Sequence, residues 1–273
     1  WNFGFIRMSS SGFVAQAYGA RNFTEVMNVL IRSLIVGIGI GLLILALQYP
    51  IGELAFSLIE SGEESVMHVR KYFRTAVWAA PAVLGTYAFM GFFIGMQNAQ
   101  TPMIIAIFNN ILNIALSTTF VFGFGMKVEG IALGTMLSQI ITFIICIVMW
   151  KRLYGRLGKY TNRESMFDRV AIRKFFKVNG VVFVRTFLLT LVTTFFTFVS
   201  AKMGDMILAA NALLMQFFML FSYFMDGFAY AGEALTGRYV GAKNNMLLLY
   251  MIRRIFFWGF VVSAVSAALY MLF

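Results

Sequence analysis

Few ionisable side chains lie well inside the long apolar stretches of this 273-residue chain. Asp226 and Glu233 fall in one stretch, seven residues apart, which is two helical turns, so both side chains share one face of a helix. Arg185 falls in the preceding apolar stretch. An ionisable group inside a membrane span is costly and marks either function or a structural pair. We therefore expect Asp226 and Glu233 to form a protonation or cation site, with Arg185 tuning its charge.

A static ion pair is the alternative interpretation of the same residues. At about 1.5 Å of rise per residue, Asp226 lies about 18 Å from the inner loop at Arg238, and Arg185 lies about 12 Å beyond Lys177. The two depths allow Arg185 and Asp226 to pair and thereby fix the packing of their helices. Glu233 lies nearer to the inner surface. The sequence leaves both interpretations open.

A stripe of neutral polar residues follows in the first half of the chain. Asn109, Asn113 and Ser117 are spaced four residues apart, so they line one face of a helix. Such a stripe either lines a wet cavity, where it could contact ions or substrate, or forms hydrogen bonds between helices worth about 0.6 kcal/mol each. The sequence does not decide between these two roles.

The sequence lacks the motifs of enzymatic and metal chemistry. It has no GxxxxGK[ST] loop for ATP, no HExxH and no CxxC. Its single cysteine, Cys146, excludes an internal disulfide, and its single histidine, His68, argues against a metal site or a Ser/His/Asp triad. We expect a protein that is not an enzyme and needs no metal or cofactor. If it is a pump, its energy comes from a gradient of H⁺ or Na⁺.

The composition is that of an integral membrane protein. Hydrophobic residues make up 60% of the chain, charged residues only 12%, and the mean hydropathy is +0.82. Soluble domains carry about 25% charged residues, so a soluble enzyme is not expected. The formal net charge of +11 comes from basic residues that flank apolar runs. We therefore attribute it to the positive-inside bias and to anionic lipid headgroups, and expect no nucleic-acid partner.

Seven apolar segments are each long enough to span a bilayer. Because the runs are continuous rather than alternating, they predict helices and not a β-barrel, so the expected fold is an all-α polytopic membrane protein. Pro81 is expected to kink the second segment. The segments are 29–50, 72–96, 102–124, 128–150, 175–201, 206–236 and 249–273.

The longest polar connection sets the expected orientation. The stretch 151–177 carries nine basic residues against Glu164 and Asp168, so it is predicted to be cytoplasmic. An amphipathic helix along the membrane surface is expected at about 165–177. The loop 51–69, with four glutamates including Glu60, then falls outside. Three basic residues at the outer end of the second span disagree with this bias: Arg70, Lys71 and Arg74.

The basic linker also divides the chain into two lobes. We expect a partial N-terminal lobe at 1–150, the cytoplasmic linker at 151–174 and a partial C-terminal lobe at 175–273. Turn-prone residues within the linker, among them Gly155 and Gly158, favour this boundary.

An internal repeat links the two lobes. Tyr18–Asn22 matches Val240–Asn244 at an offset of 241 − 19 = 222 residues, and at the same offset Arg32 falls on Arg254. Six spans lie within one offset, and this even number gives both copies the same orientation. The pattern predicts two parallel six-helix repeats related by an axis along the membrane normal, a plan found in secondary transporters. The alternative is that Gly-Ala-basic-Asn is simply a common helix end, with glycine as the C-cap.

Six short segments carry glycine, asparagine and small-residue patterns: Val14–Ala20, Gly91–Pro102, Asn109–Asn113, Phe122–Gly134 with Ser138 and Gln139, Ala209–Leu213, and Asp226–Leu235. In combination they resemble the multidrug and toxic compound extrusion (MATE) family over essentially the whole chain. The Arg185 and Asp226–Glu233 features are most similar to its DinF-like branch.

The resemblance implies a V-shaped, alternating-access transporter of twelve helices in two six-helix lobes. This chain would run from the end of the second helix into the ninth and be incomplete at both ends. The implied function is export of small cationic amphipathic compounds, by antiport with protons or sodium ions, across a plasma membrane such as the bacterial inner membrane. The bilayer and the substrate are the expected partners, with no obligate protein partner.

The resemblance also implies two amino-lobe site candidates by position, Asn113 and Tyr87. The family often carries Asn-x-x-x-Asp on its fifth helix, but here Ser117 replaces the acid. This substitution weakens the assignment of an ion site in the first lobe.

Two other functions stay open. A flippase for a lipid-linked precursor, from the same superfamily, is expected to have a more cationic cavity, and Arg185 is the one convincing intramembrane cation in the sequence. A non-transporting membrane scaffold would gain little from Asp226, Glu233 and Arg185 within its spans. We therefore favour the cation exporter.

Overall fold

The computed structural model describes residues 2–57, 63–162, 166 and 168–272, and among these every regular element is a helix. Apolar runs become helices because a bilayer offers no water to N–H and C=O groups, which must bond within the segment. The α-helices are α1 (Phe5–Gly19), α2 (Phe23–Ala46), α3 (Gln48–Ser57), α4 (Glu63–Ala76), α5 (Ala80–Gly95), α6 (Gln100–Thr118), α7 (Val128–Tyr154), α8 (Arg169–Lys202), α9 (Asp205–Gly241) and α10 (Asn245–Leu272).

Seven helical segments are long and apolar enough to cross a membrane. This number and the helical character confirm the expected all-α polytopic fold. The segments are Phe23–Ala46, Val66–Gly95, Gln100–Gly123, Val128–Tyr160, Arg169–Lys202, Met206–Gly241 and Asn245–Met271.

The first span differs in its bounds from the prediction of 29–50. The helix α2 begins at Phe23 and ends at Ala46, and α3 then occupies part of the stretch expected to be an outer loop. Pro50 lies in the first turn of α3, where its missing N–H costs no intrahelical hydrogen bond. Glu60 lies outside the described residues.

The second span is interrupted where the proline was expected to act. A 3₁₀ turn, Val77–Ala79, separates α4 from α5, and Pro81 lies in the first turn of α5. Proline lacks the N–H that would bond to the carbonyl group four residues earlier, at Val77. The 3₁₀ turn lies where this backbone hydrogen bond is missing.

The three basic residues at the outer end of this span have acidic partners. Arg70 Nη2 lies 3.0 Å from Glu53 Oε2, and Arg74 Nη2 lies 3.7 Å from Glu53 Oε1. Lys71 Nζ lies 2.9 Å from Glu129 Oε1. These exposed pairs contribute little stability. They do neutralise the three positive charges whose position disagrees with the positive-inside bias.

The basic linker is more helical than expected. The helix α7 continues to Tyr154, a 3₁₀ segment covers Gly155–Tyr160, and α8 begins at Arg169. Asp168 caps α8, because its Oδ2 accepts a hydrogen bond of 2.9 Å from the Ala171 N–H. Arg163 and Glu164 lie outside the described residues.

The separate surface helix expected at 165–177 is wrong, because residues 169–177 form the first turns of α8. This helix has 34 residues, or about 51 Å at 1.5 Å each. The apolar core of a bilayer is about 30 Å thick. The basic first turns of α8 can therefore extend beyond the core without a break in the helix.

The contacts group the chain into two compact units. Unit 1 comprises Trp1–Val26, Ile94–Gln97 and Phe167–Phe273, and unit 2 comprises Met27–Phe93 and Asn98–Met166. In unit 1, α1 packs mainly against α9 and also against α8. In unit 2, α6 packs against α7, which also contacts α4. The lobe boundaries at 1–150 and 175–273 stay a prediction.

The repeat is visible in the backbone of two turns. Arg21 and Lys243 both adopt a positive φ, 55° and 54°, at equivalent positions after α1 and α9. Asn22 N–H bonds to the carbonyl oxygen of Ala17 at 2.9 Å, and Asn244 N–H bonds to that of Tyr239 at 3.0 Å. The same offset of 222 relates each pair, which confirms the repeat at the level of backbone geometry.

The asparagine of each turn also begins the next helix. Asn22 Oδ1 accepts a hydrogen bond of 3.0 Å from the Glu25 N–H, and Asn244 Oδ1 accepts one of 3.1 Å from the Leu247 N–H. A glycine C-cap requires the glycine itself to adopt a positive φ. In both Gly-Ala-basic-Asn turns the basic residue adopts it instead. The role of the glycine lies in packing.

The glycines let α1 and α9 touch through their backbones. A Cβ atom built on Gly19 would lie 2.7 Å from the carbonyl carbon of Arg238, and one on Gly241 would lie 2.8 Å from that of Gln16. Real Cβ atoms do not approach other atoms so closely. Each contact becomes the other when 222 is added to one residue number and subtracted from its partner. The close contact of the two helices is therefore symmetric under the repeat. The contacts Arg7–Tyr230, Gly12–Glu233 and Ala15–Gly237 follow the same order along both helices, so α1 and α9 run parallel.

We predict that Gly241→Ala separates α1 from α9 and destabilises the protein by about 1–3 kcal/mol, the usual cost of overpacking. The matched control is Gly227→Ala on the same helix, where a Cβ atom meets nothing within 4 Å. Thermal unfolding of the detergent-purified full-length protein should show a lower Tm for Gly241→Ala and an unchanged or slightly higher Tm for Gly227→Ala. Equal melting temperatures would contradict the close packing.

Candidate functional site

Two acidic residues lie on one face of the spanning helix α9. Asp226 and Glu233 are both half-buried, and α9 runs without interruption from Asp205 to Gly241. Between them, at i+4 from Asp226, lies Tyr230, whose hydroxyl group is within electrostatic reach of both carboxyl groups. The face therefore presents an acid, an aromatic ring and a second acid in sequence.

A cation from α1 lies on this face. The guanidinium carbon of Arg7 is 3.9 Å from the centroid of the Tyr230 ring. Arg7 also interacts electrostatically with Glu233. Glu233 itself extends toward Gly12 of α1, where its Oε1 would lie 3.5 Å from a Cβ atom. The parallel packing of α1 on α9 thus assembles one guanidinium group, one aromatic ring and two carboxyl groups.

Sequence reasoning missed Arg7. The apolar pattern predicts no complete span and no functional residue within 1–18. The available signal was an ionisable residue inside an apolar, small-residue helix, the same signal that identified Asp226 and Glu233. Arg185 is therefore not the one intramembrane cation, because Arg7 lies beside Tyr230, which belongs to the span Met206–Gly241.

Arg185 does not join this cluster. Its side chain is exposed on α8, and the ion pairs found among the described residues do not include one with Asp226. The face of α8 that meets α1 carries Asn179, which accepts a hydrogen bond of 2.6 Å from Ser9, and Phe183, which packs against Phe5.

The reason lies in helix rotation. Arg185 is two residues beyond Phe183, about 200° around the helix axis, so its side chain points away from α1. The depth estimate from the sequence gave the height of Arg185 along its helix but not its direction.

The segment that follows α5 contacts the helical turn of α9 that carries Glu233. In the segment Ile94–Gln97, which belongs to unit 1, Gln97 adopts a positive φ of 63°. Its Nε2 donates a hydrogen bond of 2.7 Å to the carbonyl oxygen of Ala234, which is buried. Gln97 thereby ties the end of α5 to the backbone next to Glu233.

The polar stripe on α6 faces α7 within unit 2. Asn109 Oδ1 accepts a hydrogen bond of 2.9 Å from Thr142 Oγ1. The Asn113 amide donates bonds of 3.2 Å to the hydroxyl groups of Thr135 and Ser138. These side chains form a hydrogen-bonded contact between two helices, which is one of the two roles considered for the stripe.

Ser117 extends the same contact by close packing. A Cβ atom on Gly134 would lie 2.5 Å from Ser117 Oγ and 2.7 Å from its backbone nitrogen. The hydroxyl group of Ser117 is buried and finds no hydrogen-bond partner in the part of the chain that the structure describes. Together with the two asparagines, it keeps a constant antiparallel register between α6 and α7.

Tyr87, the other position implied for the amino lobe, lies half-buried on α5. It belongs to unit 2 with Asn109, Asn113 and Ser117, whereas Asp226, Glu233 and Arg185 belong to unit 1.

The cluster on α9 has the chemistry of a cation site. An aromatic face attracts a cation within about 6 Å of its centroid, more strongly when water is absent. With all groups ionised, Asp226, Glu233 and Arg7 leave one net negative charge. Over the described residues, no group of three or more His, Cys, Asp or Glu side chains could hold a metal ion. The arrangement is suited to a monovalent or organic cation.

If the polar stripe serves packing, Asn113→Ala should lower the Tm modestly, at about 0.6 kcal/mol for each interhelical hydrogen bond lost, and leave cation transport in membrane vesicles intact. Asn110→Ala is the matched control, because that neighbouring side chain is exposed. Loss of transport at an unchanged Tm in Asn113→Ala would instead show that the stripe lines the transport path.

Comparisons with known proteins agree with this architecture. The profile of the MatE family matches residues 3–119 and 182–273. The chain is 32% identical over 268 residues to DNA damage-inducible protein F of Escherichia coli (strain K12), covering 98% of this chain and 58% of that protein.

Two solved structures show the same fold. An outward-facing multidrug resistance transporter of the MATE family matches with a TM-score of 0.83 and 20% identity, over 100% of this chain and 61% of its own. A MOP superfamily transporter from Pyrococcus furiosus Vc1 (DSM3638), whose binding pocket has reversed polarity suggesting a different function, matches with a TM-score of 0.87 and 21% identity, over 99% of this chain and 60% of its own.

The chain thus spans 58% of the length of its Escherichia coli relative. The family profile covers more than half of the chain. Its members are transporters and not enzymes, as expected from the missing catalytic motifs. On the combined evidence of sequence and fold, this multi-pass membrane chain belongs to the MatE family.

Proposed function

We propose that this chain is part of a secondary active exporter of organic cations, driven by antiport with protons or sodium ions. The observation that carries the proposal is the face of α9 on which Asp226, Tyr230 and Glu233 converge with Arg7. Acidic groups are kept inside a spanning helix only where they serve a pair or a pathway. The cluster holds one guanidinium group and two carboxyl groups, so one negative charge is left for an incoming cation.

Antiport follows from competition for the same carboxyl groups. A carboxyl group in the membrane interior can be neutralised by a proton, by a sodium ion or by a cationic substrate. Binding of one disfavours binding of another, and this coupling is reciprocal. Release of the substrate on one side would therefore require uptake of the coupling ion from that side.

The acids are arranged along the transport direction. Asp226 and Glu233 are separated by seven residues of a continuous helix, about 10.5 Å at 1.5 Å per residue. Glu233 lies five residues before Arg238, near the predicted cytoplasmic end. A cation entering from the cytoplasm would meet Glu233 first and Asp226 second.

The similar proteins support this direction. One structural neighbour is a multidrug resistance transporter, and the sequence carries no ATP-binding loop. We place the protein in the plasma membrane, a bacterial inner membrane, with the basic linker 151–174 on the cytoplasmic side. Its partners are then small cationic amphipathic compounds and the lipid bilayer.

A lipid-linked precursor flippase is the second candidate, and Arg7 is the observation that favours it. Arg7 and Arg185 together match Asp226 and Glu233 in number. A related fold from Pyrococcus furiosus has a pocket of reversed polarity. The exporter is preferred because the cluster itself keeps more acid than base. A non-transporting scaffold does not account for either acid.

Transport should be measured with the full-length protein in inverted membrane vesicles. We expect an imposed gradient of H⁺ or of Na⁺ to drive uptake of a fluorescent cationic dye. Asp226→Asn and Glu233→Gln should each reduce uptake at least about tenfold, the effect of losing roughly 1.4 kcal/mol of coupling.

The matched control is Glu129→Gln, the same carboxylate-to-amide change at an exposed helix start, paired with Lys71; it should transport normally. Expression and monodispersity must be equal for all variants. No uptake with either ion would contradict the proposal of a cation exporter and favour the flippase. Loss of folding in both acidic variants would show that the acids are structural.

A further inference from the structure

The guanidinium group of Arg7 occupies the position that an organic cation would take. Its distance of 3.9 Å from the Tyr230 centroid is the shortest of the cation–ring distances in the described residues, the next being 4.4 Å at Lys202 and Phe198. Asp226 precedes Tyr230 by four residues and Glu233 follows it by three, so both acids flank the occupied ring.

The Arg254–Tyr250 contact in unit 1 lacks this setting. Arg254 lies 5.2 Å from the centroid of Tyr250, four residues away on the exposed surface of α10, and donates a hydrogen bond of 3.0 Å to its hydroxyl group. That pair is a local contact within one helix. The contact of Arg7 with Tyr230 joins two helices and is flanked by two carboxyl groups.

The guanidinium group of Arg7 is held without a close ion pair. Between Arg7 and the carboxyl groups of the described residues, no ion pair within 4.0 Å is found, unlike at Arg70, Lys71 and Arg74. Its interaction with Glu233 is longer-range. When Arg7 leaves the ring, its side-chain hydrogen bond with Tyr230 breaks, but no direct guanidinium–carboxylate pair has to break. The long side chain can then turn away about its own torsions.

We propose that the face formed by Asp226, Tyr230 and Glu233 is the binding site for the organic cation, and that Arg7 is an internal cation that fills this site when it is empty. The proposal rests on the function proposed above and names its substrate site. Substrate and guanidinium group exclude each other, because both need the same aromatic face of Tyr230 and the same carboxyl group of Glu233. Arg7 thus sets the affinity for the substrate by competing with it.

The test uses two probes of equal shape and opposite charge, tetraphenylphosphonium and tetraphenylborate, binding at equilibrium to the full-length protein in detergent. Arg7→Gln removes the competitor and should tighten tetraphenylphosphonium binding about fivefold or more. Arg7→Lys keeps the charge and should stay within about twofold of wild type. The matched control Arg254→Gln should not change the affinity.

A second pair of variants keeps the test decisive if Arg7→Gln fails to fold. Tyr230→Leu removes the aromatic face and should weaken tetraphenylphosphonium binding about fivefold or more, whereas Tyr250→Leu should not. Unchanged binding in Tyr230→Leu overturns the proposal. So does weaker or unchanged tetraphenylphosphonium binding in Arg7→Gln, or a loss of tetraphenylborate binding in that variant, which would make Arg7 an anion-binding residue.

Binding and transport fail independently in this design. If wild-type vesicles show gradient-driven uptake but Arg7→Gln does not tighten binding, the internal-cation proposal fails and the exporter stands. If Arg7→Gln tightens binding but no ion gradient drives uptake in wild-type vesicles, the site stands and the antiport function fails.

Discussion

A charge inside the bilayer must be compensated by another charge or by hydrogen bonds, because no water is available to solvate it. The packing of α1 against α9 satisfies this constraint in unit 1. It brings Arg7 of one helix against Tyr230 and within reach of Glu233 of the other. The acids on α9 would be costly in an isolated helix. Their presence depends on the close approach of a neighbour that carries a cation.

That close approach comes from the repeat. Gly19 and Gly241 remove the side chains at two symmetric points, so that each helix backbone contacts the other. The two repeated turns then lead into the following helices with the same backbone conformation at Arg21 and Lys243. The surroundings of the contact are symmetric, but the charges are not, because at the offset of 222 Arg7 corresponds to Ala229 and Glu233 to Ser11. A symmetric scaffold therefore carries an asymmetric site.

The sequence predicts the spans, the repeat and the acids of α9 because each of them is a pattern along the chain. It does not predict Arg7 as the partner, since partners depend on helix rotation. Arg185 is an example, because its height along α8 allows a pair with Asp226 but its direction does not. The side of α8 that faces α1 carries Asn179 and Phe183, and Arg185 lies on another side. The stripe of Asn109, Asn113 and Ser117 likewise gave a face but not its neighbour. Its hydrogen-bond partners on α7 became visible only in the structure.

The account depends most on mutual compensation between Arg7 and Glu233. A double-mutant cycle on thermal stability tests it directly, with Arg7→Gln, Glu233→Gln and the double variant of the full-length protein. Each single change removes the interaction between Arg7 and Glu233, and the double change removes no further interaction between them, so the double variant should be more stable than the sum of the single effects predicts. Additive effects would contradict the account, because they would mean that the two groups do not compensate each other across α1 and α9.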